Sequence, residues 1–328
     1  MKEKVMVSLI QFAPAWLERE KNAERMNQFV QEQAEKGSEL ILLPELANIG
    51  YVTPATIGEP PSYDEKTSAA EFHAKYIKAA EPVPGPTTDL LGEAASKYGI
   101  YIVVGIAEQH PVIPAQLYNS AVLIGPSGIV GVYRKAHLPL NEKYYFHPGN
   151  AAEVYRTELG NISMTVCYDA RFPEFVRVFA LKGSEIHCAI WNTPATPGLD
   201  PMSIKYRAYV RALENNFYFL SCNRAGKEGN TSFLGHSAAA GPDGNIIAYS
   251  NSKKEEVLTA ELSNDAIVNL RAKRTDLRDR RPEMYSVVTD PLSPPYDPLR
   301  FRRSLSSEDG RQQAPEYGAE LARGIAVP

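Results

Sequence analysis

NISMTVCYDARFPEFVRVFALKG, residues 161–183, decides the fold. Its first part reads as an apolar strand ending at Cys167. Tyr168-Asp169-Ala170-Arg171 is polar at once, and FPEFVRVFALKG (172–183) then reads as a helix. SEIHCAIW (184–191) gives the next strand. A strand, a sharp turn, a helix and a second strand make the repeating unit of an α/β fold.

The same rhythm extends in both directions. VMVSLIQFA (5–13) alternates as a strand, and residues 17–36 put Met26, Phe29, Val30 and Gln33 at helical spacing before Gly37, a plausible C-cap. ELILLPE (39–45) and IYIVVGIAE (100–108) are continuous apolar runs, the mark of strands buried on both faces. Thr67–Glu81 and Thr87–Tyr98 read as helices, and residues 119–135 as two strands around Pro126-Ser127-Gly128. Downstream, MSIKYRAYVRALENN (202–216) is a helix, FYFLSCN (217–223) a strand, and HSAAAGPDGNIIAYS (236–250) a hairpin. Helical connections mixed with hairpins predict two mixed sheets flanked by helices, a four-layer αββα sandwich. No Gly-, Ser- or Pro-rich linker interrupts the chain before its end, so residues 1–289 are expected to form one domain. Residues 290–328 are rich in proline and polar side chains, with a basic RFRR at 300–303. Such a tail buries little of itself and is expected to cross a subunit interface or stay disordered.

Composition narrows the function. The 328 residues carry a net charge of -4, which gives no basic face for nucleic acid. No apolar run reaches the length of a membrane span. The N-terminal MKEKVMVSLIQFAPAW reads as a first strand rather than a secretion signal. Three cysteines do not build a disulfide framework, and an odd number fits a reducing cytoplasm. No zinc-ligand spacing, phosphate loop or dinucleotide fingerprint is present, so no metal or other cofactor is expected.

Three reactive residues share one placement: Glu45, Lys135 and Cys167 each lie just past an apolar strand. Strand ends hold side chains rigidly at the rim of a sheet. A free cysteine is most often a small core hydrophobe, but a core strand seldom turns polar as abruptly as it does after Cys167. The start of the following helix would favour a negative sulfur, and a sharp turn aims backbone N–H groups at an oxyanion. Glu45 sits in apolar company, Leu43-Pro44 before it and Leu46-Ala47 after it. A carboxylate desolvated by such neighbours takes up protons more readily than one in water, as a general base must. Lys135, followed by AHLPL, is placed to stabilise developing negative charge, and Glu142 either anchors that lysine or assists the base.

ILLPELANIGY (41–51), GVYRKAHLP (131–139), NEKYYFHPG (141–149) and MTVCYDARFPE (164–174) resemble, in order and spacing, the signature segments of the nitrilase superfamily of carbon–nitrogen hydrolases. ENNFYFLSCNRAG and FLGHSAAAGPDG follow in family position, and the similarity runs from about Val5 to about Tyr285. The resemblance implies an αββα sandwich that pairs into a homodimer or larger homo-oligomer. It implies Glu45 as base, Cys167 as nucleophile, and Lys135 with the Tyr168 backbone N–H as oxyanion holders. Glu142 takes a positioning role, and no cofactor is needed. The implied reaction is hydrolysis of a non-peptide C–N bond in a small molecule through a thioester.

Substrate choice is harder to read. Pocket walls are expected from Tyr51, Tyr144, Tyr145, Phe146, Arg171, Trp191, Asn192 and Thr193, with Asn192, Tyr51, Arg171, Tyr145 and Tyr168 the main binding candidates. In the family, the backbone carbonyl of the Asn192 segment holds the leaving nitrogen. Carbamoylases for D-amino acids carry two adjacent arginines after the cysteine, where this chain has Ala170-Arg171. Nitrilases proper carry Trp-Glu after the cysteine, where this chain has Tyr168-Asp169. The expectation is therefore an amide, then an N-carbamoyl amine or amino acid, then a nitrile. A non-catalytic binding member of the fold is the alternative from another class. A papain-like reading fails for want of a histidine in a matching signature; His137 is expected to shape the loop after Lys135.

Overall fold

The structure, a computed structural model, describes residues 1–51 and 69–289. The chain divides into a compact unit, Met1–Arg278, and a second unit, Asp279–Pro328. The expected boundary at 289/290 falls inside the second unit, and the expected tail, 290–328, lies outside the described residues. Of the second unit, a single 3-10 turn at Pro282–Met284 and a short helix at Ser286–Thr289 are described.

The first unit is built on two six-stranded sheets. Sheet one contains β1 (Lys4–Gln11), β2 (Leu40–Leu42), β3 (Tyr101–Gln109), β4 (Leu117–Gly125), β5 (Gly128–Arg134) and β14 (Glu256–Ser263). They lie in the order β14-β1-β2-β3-β4-β5. Sheet two contains β6 (Val154–Thr157), β7 (Gly160–Val166), β8 (Ile186–Trp191), β9 (Tyr218–Asn223), β12 (Ala238–Ala240) and β13 (Ile246–Tyr249), ordered β13-β12-β9-β8-β7-β6. A two-residue pair, β10 (Lys227–Glu228) with β11 (Thr231–Ser232), stands apart. In each sheet three central strands are parallel: β1, β2 and β3 in one, β7, β8 and β9 in the other. The outer strands are antiparallel. Both sheets are therefore mixed, as expected.

Alternation along the strands sorts side chains between two cores. Val5, Val7, Leu9, Leu40, Leu42 and Val103 of sheet one meet Met164, Val166, Ile186, Ile190 and Leu220 of sheet two. Each such side chain contributes about 1.5–3 kcal/mol when buried. Cys188 and Cys222 belong to this inter-sheet core, and the Cys222 thiol donates to Ile10 O at 3.3 Å and Leu42 O at 3.4 Å. The outer face of sheet one is covered by α1 (Arg19–Glu35) and α3 (Pro86–Tyr98), through Met26, Val30, Leu91 and Ala95. That of sheet two is covered by α4 (Pro173–Leu181) and α5 (Ser203–Asn215), through Val176, Ile204, Ala208 and Ala212. The layers are thus αββα. Gly37, at φ +92° just past α1, makes the left-handed stop its position predicted. The helix expected over 67–81 is described as α2 (Ala69–Ala79); residues 67 and 68 lie outside the described residues.

Two strand boundaries differ from expectation. The strand expected over 39–45 pairs as β2 for three residues, Leu40–Leu42, because the chain must break away to deliver Glu45. β14 forms one edge of sheet one and the helix α6 (Asn264–Lys273) follows it, with Ile267 in the inter-sheet core, in a stretch where only a continuation of the domain was expected. Among the described residues, no helix is long and apolar enough to cross a membrane.

Candidate active site

β5 and β7 run straight into Lys135 and Cys167, and β8 into Asn192. β2 ends three residues before Glu45. The backbone at two of these turns is forced: Leu46 has φ +49° and Cys167 φ +48°, in the left-handed region that side chains normally avoid. Gly105 of β3 makes room for the Glu45 turn. A Cβ there would lie 2.5 Å from both Glu45 Cα and Leu46 N, so nothing but glycine fits without a shift. The turn is then bonded to β3 by Ala47 N to Gly105 O at 2.8 Å and Gly105 N to Pro44 O at 3.2 Å.

Glu45, Lys135 and Glu142 converge in full burial. Lys135 Nζ donates to Glu45 Oε1 at 2.7 Å and to Glu142 Oε1 and Oε2 at 2.9 and 2.8 Å. Burial opposes the charge on Lys135, but Glu142, Glu45 and Cys167 outweigh it and hold the ammonium more firmly than in water. Burial pushes the Glu142 carboxyl up, with Lys135 pulling it back and Glu45 adding to the rise. Tyr51 donates its hydroxyl to Glu142 Oε1 at 2.5 Å. Burial, then Glu142, Glu45 and Cys167, push its phenol far above the usual range, so it remains a donor. Glu45 Oε1 accepts a second bond, from Asn119 Nδ2 at 2.7 Å, whereas Glu45 Oε2 is buried with no hydrogen-bond partner among the described residues. One carboxylate oxygen is clamped by two donors and the other is left open.

Cys167 is half-buried, unlike the fully buried Cys188 and Cys222. Burial pushes its thiol well up, Glu45 adds to that, and Lys135 and the Asn192 backbone N–H lean the other way. α4 begins at Pro173, where the sequence places its start, after a 3-10 turn over Cys167–Arg171, and at the sulfur desolvation outweighs what favours a thiolate. Desolvation thus favours the thiol over the thiolate at Cys167.

Asp169 locks this turn to the Lys135 loop. Its Oδ1 accepts from the His137 backbone N–H and pairs with His137 Nδ1, both at 2.8 Å. Its Oδ2 accepts from Tyr133 OH at 2.7 Å and Val166 N at 3.3 Å. His137 thus shapes the loop, as expected, and stacks on Phe172 at 4.0 Å. Asn192 Nδ2 donates to Glu45 O at 2.8 Å, joining the two sheets across the site. Tyr51 also donates its N–H to Glu228 Oε2 at 3.2 Å, and Glu228 is ion-paired with buried Arg224.

The remaining candidates separate. Tyr168 is half-buried beside Cys167, and Arg171 is exposed with its guanidinium 5.6 Å from the Tyr168 ring centroid. Tyr145 packs edge-on against His73 and Phe72, and Phe146 against Tyr76, in an aromatic cluster that also takes in Leu46 and Tyr51. Trp191 packs with Ile204 and Ala208 of α5 in the cluster against which Cys167 also packs, Thr193 is buried, and Tyr144 is 78% exposed. Asn119, Gly105 and Glu228 were not singled out from sequence, and Asp169 was read only as a mark of substrate class. The polar Asn119-Ser120 pair within β4 and the acid two residues after Cys167 were the available signals. Among the described residues, no group of three His, Cys, Asp or Glu side chains is arranged to hold a metal ion.

The carbon-nitrogen hydrolase family model matches residues 6–272. The chain is 33% identical over 287 residues to a nitrilase of Pyrococcus abyssi, covering 86% of this chain and 99% of that protein. It is 33% identical over 286 residues to the N-carbamoylputrescine amidase of Solanum lycopersicum, covering 81% and 89%. The crystal structure of a carbon-nitrogen hydrolase from Helicobacter pylori G27 superposes with a TM-score of 0.74 at 25% identity, covering 88% of this chain and 99% of the other. With a family match across nearly the whole first unit and a shared αββα sandwich, the chain belongs to the carbon-nitrogen hydrolases of the nitrilase superfamily.

Proposed function

We propose that this hydrolase cleaves the C–N bond of a small non-peptide amide through a thioester on Cys167, releasing ammonia or an amine and a carboxylic acid. The observation that carries this reading is the buried Lys135 bridge between Glu45 and Glu142, with Glu45 Oε2 unpartnered. Glu45 Oε2 takes the thiol proton as the sulfur attacks the carbonyl carbon. The carbonyl π electrons move to oxygen, and that oxyanion is held by Lys135 Nζ and the Tyr168 N–H. Glu45 returns the proton to the leaving nitrogen, the C–N bond breaks, and a thioester remains. Water then gives its proton to Glu45 and attacks the thioester. Collapse of that intermediate breaks the C–S bond, and Glu45 reprotonates the sulfur. Glu142 and Tyr51 hold Lys135 in place throughout.

An N-carbamoyl amine is the second reading, favoured by the relatives named N-carbamoylputrescine amidase. A nitrile ranks third, because Asp169 is occupied in tying His137 and Tyr133 to the nucleophile turn. Three free cysteines support a cytoplasmic setting. Exposed Tyr206, Tyr209 and Val210 on α5 support a homo-oligomer. The test is ammonia release across aliphatic amides, aryl amides, N-carbamoyl amines and nitriles. Turnover of amides above the other classes supports the reading; turnover confined to nitriles removes it, and none at all returns the chain to a binding role.

A further inference from the structure

A buried ion pair stands behind Tyr51. Arg224 follows β9, its N–H donating to Trp191 O at 3.1 Å and its carbonyl accepting from Gly235 N at 3.1 Å. Its guanidinium is fully buried, lies 3.9 Å from the Phe233 ring centroid and donates to Pro14 O at 3.2 Å. Arg224 NH2 meets Glu228 Oε2 at 2.5 Å, and the same oxygen accepts the Tyr51 N–H at 3.2 Å. Glu228 is the buried residue of β10, where Lys227 is exposed. Its carboxylate lies so close to Gly50 that no room is left there for a Cβ. The backbone at 50 and 51 is thus seated directly on the acid.

Tyr51 is held at three points. Its N–H rests on Glu228, its ring is edge-on to Phe233 at 6.3 Å, and its hydroxyl donates to Glu142 Oε1 at 2.5 Å. Glu142 in turn presents both oxygens to Lys135 Nζ. The hydroxyl is the far end of the side chain, so a small rotation of the backbone at Tyr51 would swing it off Glu142. Taking an arginine and a glutamate out of water is costly, and an apolar pair of similar size would fill the space at least as well. An apolar pair cannot accept the Tyr51 N–H, which would then be buried without an acceptor.

Resting on the reading of Lys135 as the oxyanion holder, we propose that Glu228 is a positioning residue for the hydrolysis: by accepting the Tyr51 N–H it aims the Tyr51 hydroxyl at Glu142 and so keeps Lys135 where the oxyanion forms. Arg224 fixes the Glu228 oxygen that does this. The relay runs from the end of β9, through the small β10–β11 pair, to the segment that carries Glu45 and Tyr51.

The test is a mutant cycle read by ammonia release from a simple amide. Arg224→Met is combined with Glu228→Gln, which keeps a side-chain oxygen for the Tyr51 N–H, or with Glu228→Leu, which does not; neither pair leaves a guanidinium buried without its acid. The Gln pair should exceed the Leu pair in kcat by about 10- to 100-fold, with KM alike within a factor of about two. In a Tyr51→Phe background, where no phenol reaches Glu142, that difference should shrink to about threefold or less. A merely structural role would lower kcat equally in both backgrounds. Thermal unfolding confirms that each variant is folded; should the Leu pair not fold, Glu228→Asp, which draws the carboxylate back from Tyr51, takes its place in the same cycle. Equal kcat for the Gln and Leu pairs, or a difference undiminished by Tyr51→Phe, would overturn the positioning role while leaving the hydrolase intact. Ammonia release by Cys167→Ala at the native rate would instead overturn the reading of the site on which the role rests.

Discussion

Glu45 and Lys135 meet at 2.7 Å, fully buried, although they are 90 residues apart in the chain. Glu45 is delivered beyond β2 and Lys135 beyond β5, while Cys167 arrives from the opposite sheet beyond β7. Burial opposes a charged lysine, and the two carboxylates overcome it. Removing one partner strands the other. Glu45→Gln should therefore lose about 10⁴-fold or more in kcat, comparable to loss of the nucleophile. Steady-state ammonia release measures it, and a loss of tenfold or less would place the base elsewhere.

Asn119 is a positioning residue in this account. It pairs with Ala107 across β3 and β4, its backbone carbonyl accepts from Lys135 N at 2.8 Å, and its side chain clamps Glu45 Oε1. Asn119→Ala should lower kcat by about 10- to 100-fold while leaving KM within a factor of two or so, because the base loses its aim and the substrate contacts are untouched. A rise in KM at constant kcat would mean that Asn119 binds substrate instead.

Gly105→Ala tests how the Glu45 turn is seated. The added Cβ meets backbone atoms of Pro44, Glu45 and Leu46, which cannot swing aside as a side chain would. The variant should unfold with about 1–3 kcal/mol less stability and lose activity out of proportion to that change. Native stability in denaturant titration would show that the turn can shift freely.

His187 sets an acid limit on stability. It is buried with both ring nitrogens engaged, Nδ1 with Ser163 Oγ at 2.7 Å and Nε2 with Thr165 Oγ1 at 2.9 Å, and stacks on Phe217 and Phe219. Burial and then Arg211 push it down from 6.5 to about 3. The unfolded chain therefore binds this proton between pH 6.5 and about 3, while the folded chain does not. Stability is fully present above pH 6.5 and is lost as pH falls toward 3, by up to about 1.4 kcal/mol per pH unit. Unfolding midpoints measured across that range should fall less steeply for His187→Asn than for the native protein; parallel slopes would contradict the assignment.

Much of this was legible because the strand ends carry the chemistry. An apolar run that stops at a charged or reactive residue marks Glu45, Lys135 and Cys167 without knowledge of pairing. Asn119 was not legible as a site residue. It lies inside a strand, and its role appears only when β3, β4 and β5 are side by side. Asp169 was read as a mark of substrate class, whereas its work is to tie the Cys167 turn to His137 across the two sheets. The alternation of Val257-Leu258-Thr259-Ala260-Glu261-Leu262 was a strand signal in plain view, matched by alternating burial in β14. The opposing effect of burial on the Cys167 thiol was not legible, because desolvation depends on the packing around the sulfur and not on its neighbours in sequence.

The most direct measurement is the intact mass of the protein quenched during turnover of a simple amide, with peptide mapping of any adduct. The account predicts a gain equal to the acyl group, located on Cys167, discharged by hydroxylamine and absent from an inactive Cys167→Ala variant. Ammonia release by Cys167→Ala at the native rate, or an acyl group mapped to another side chain, would contradict it.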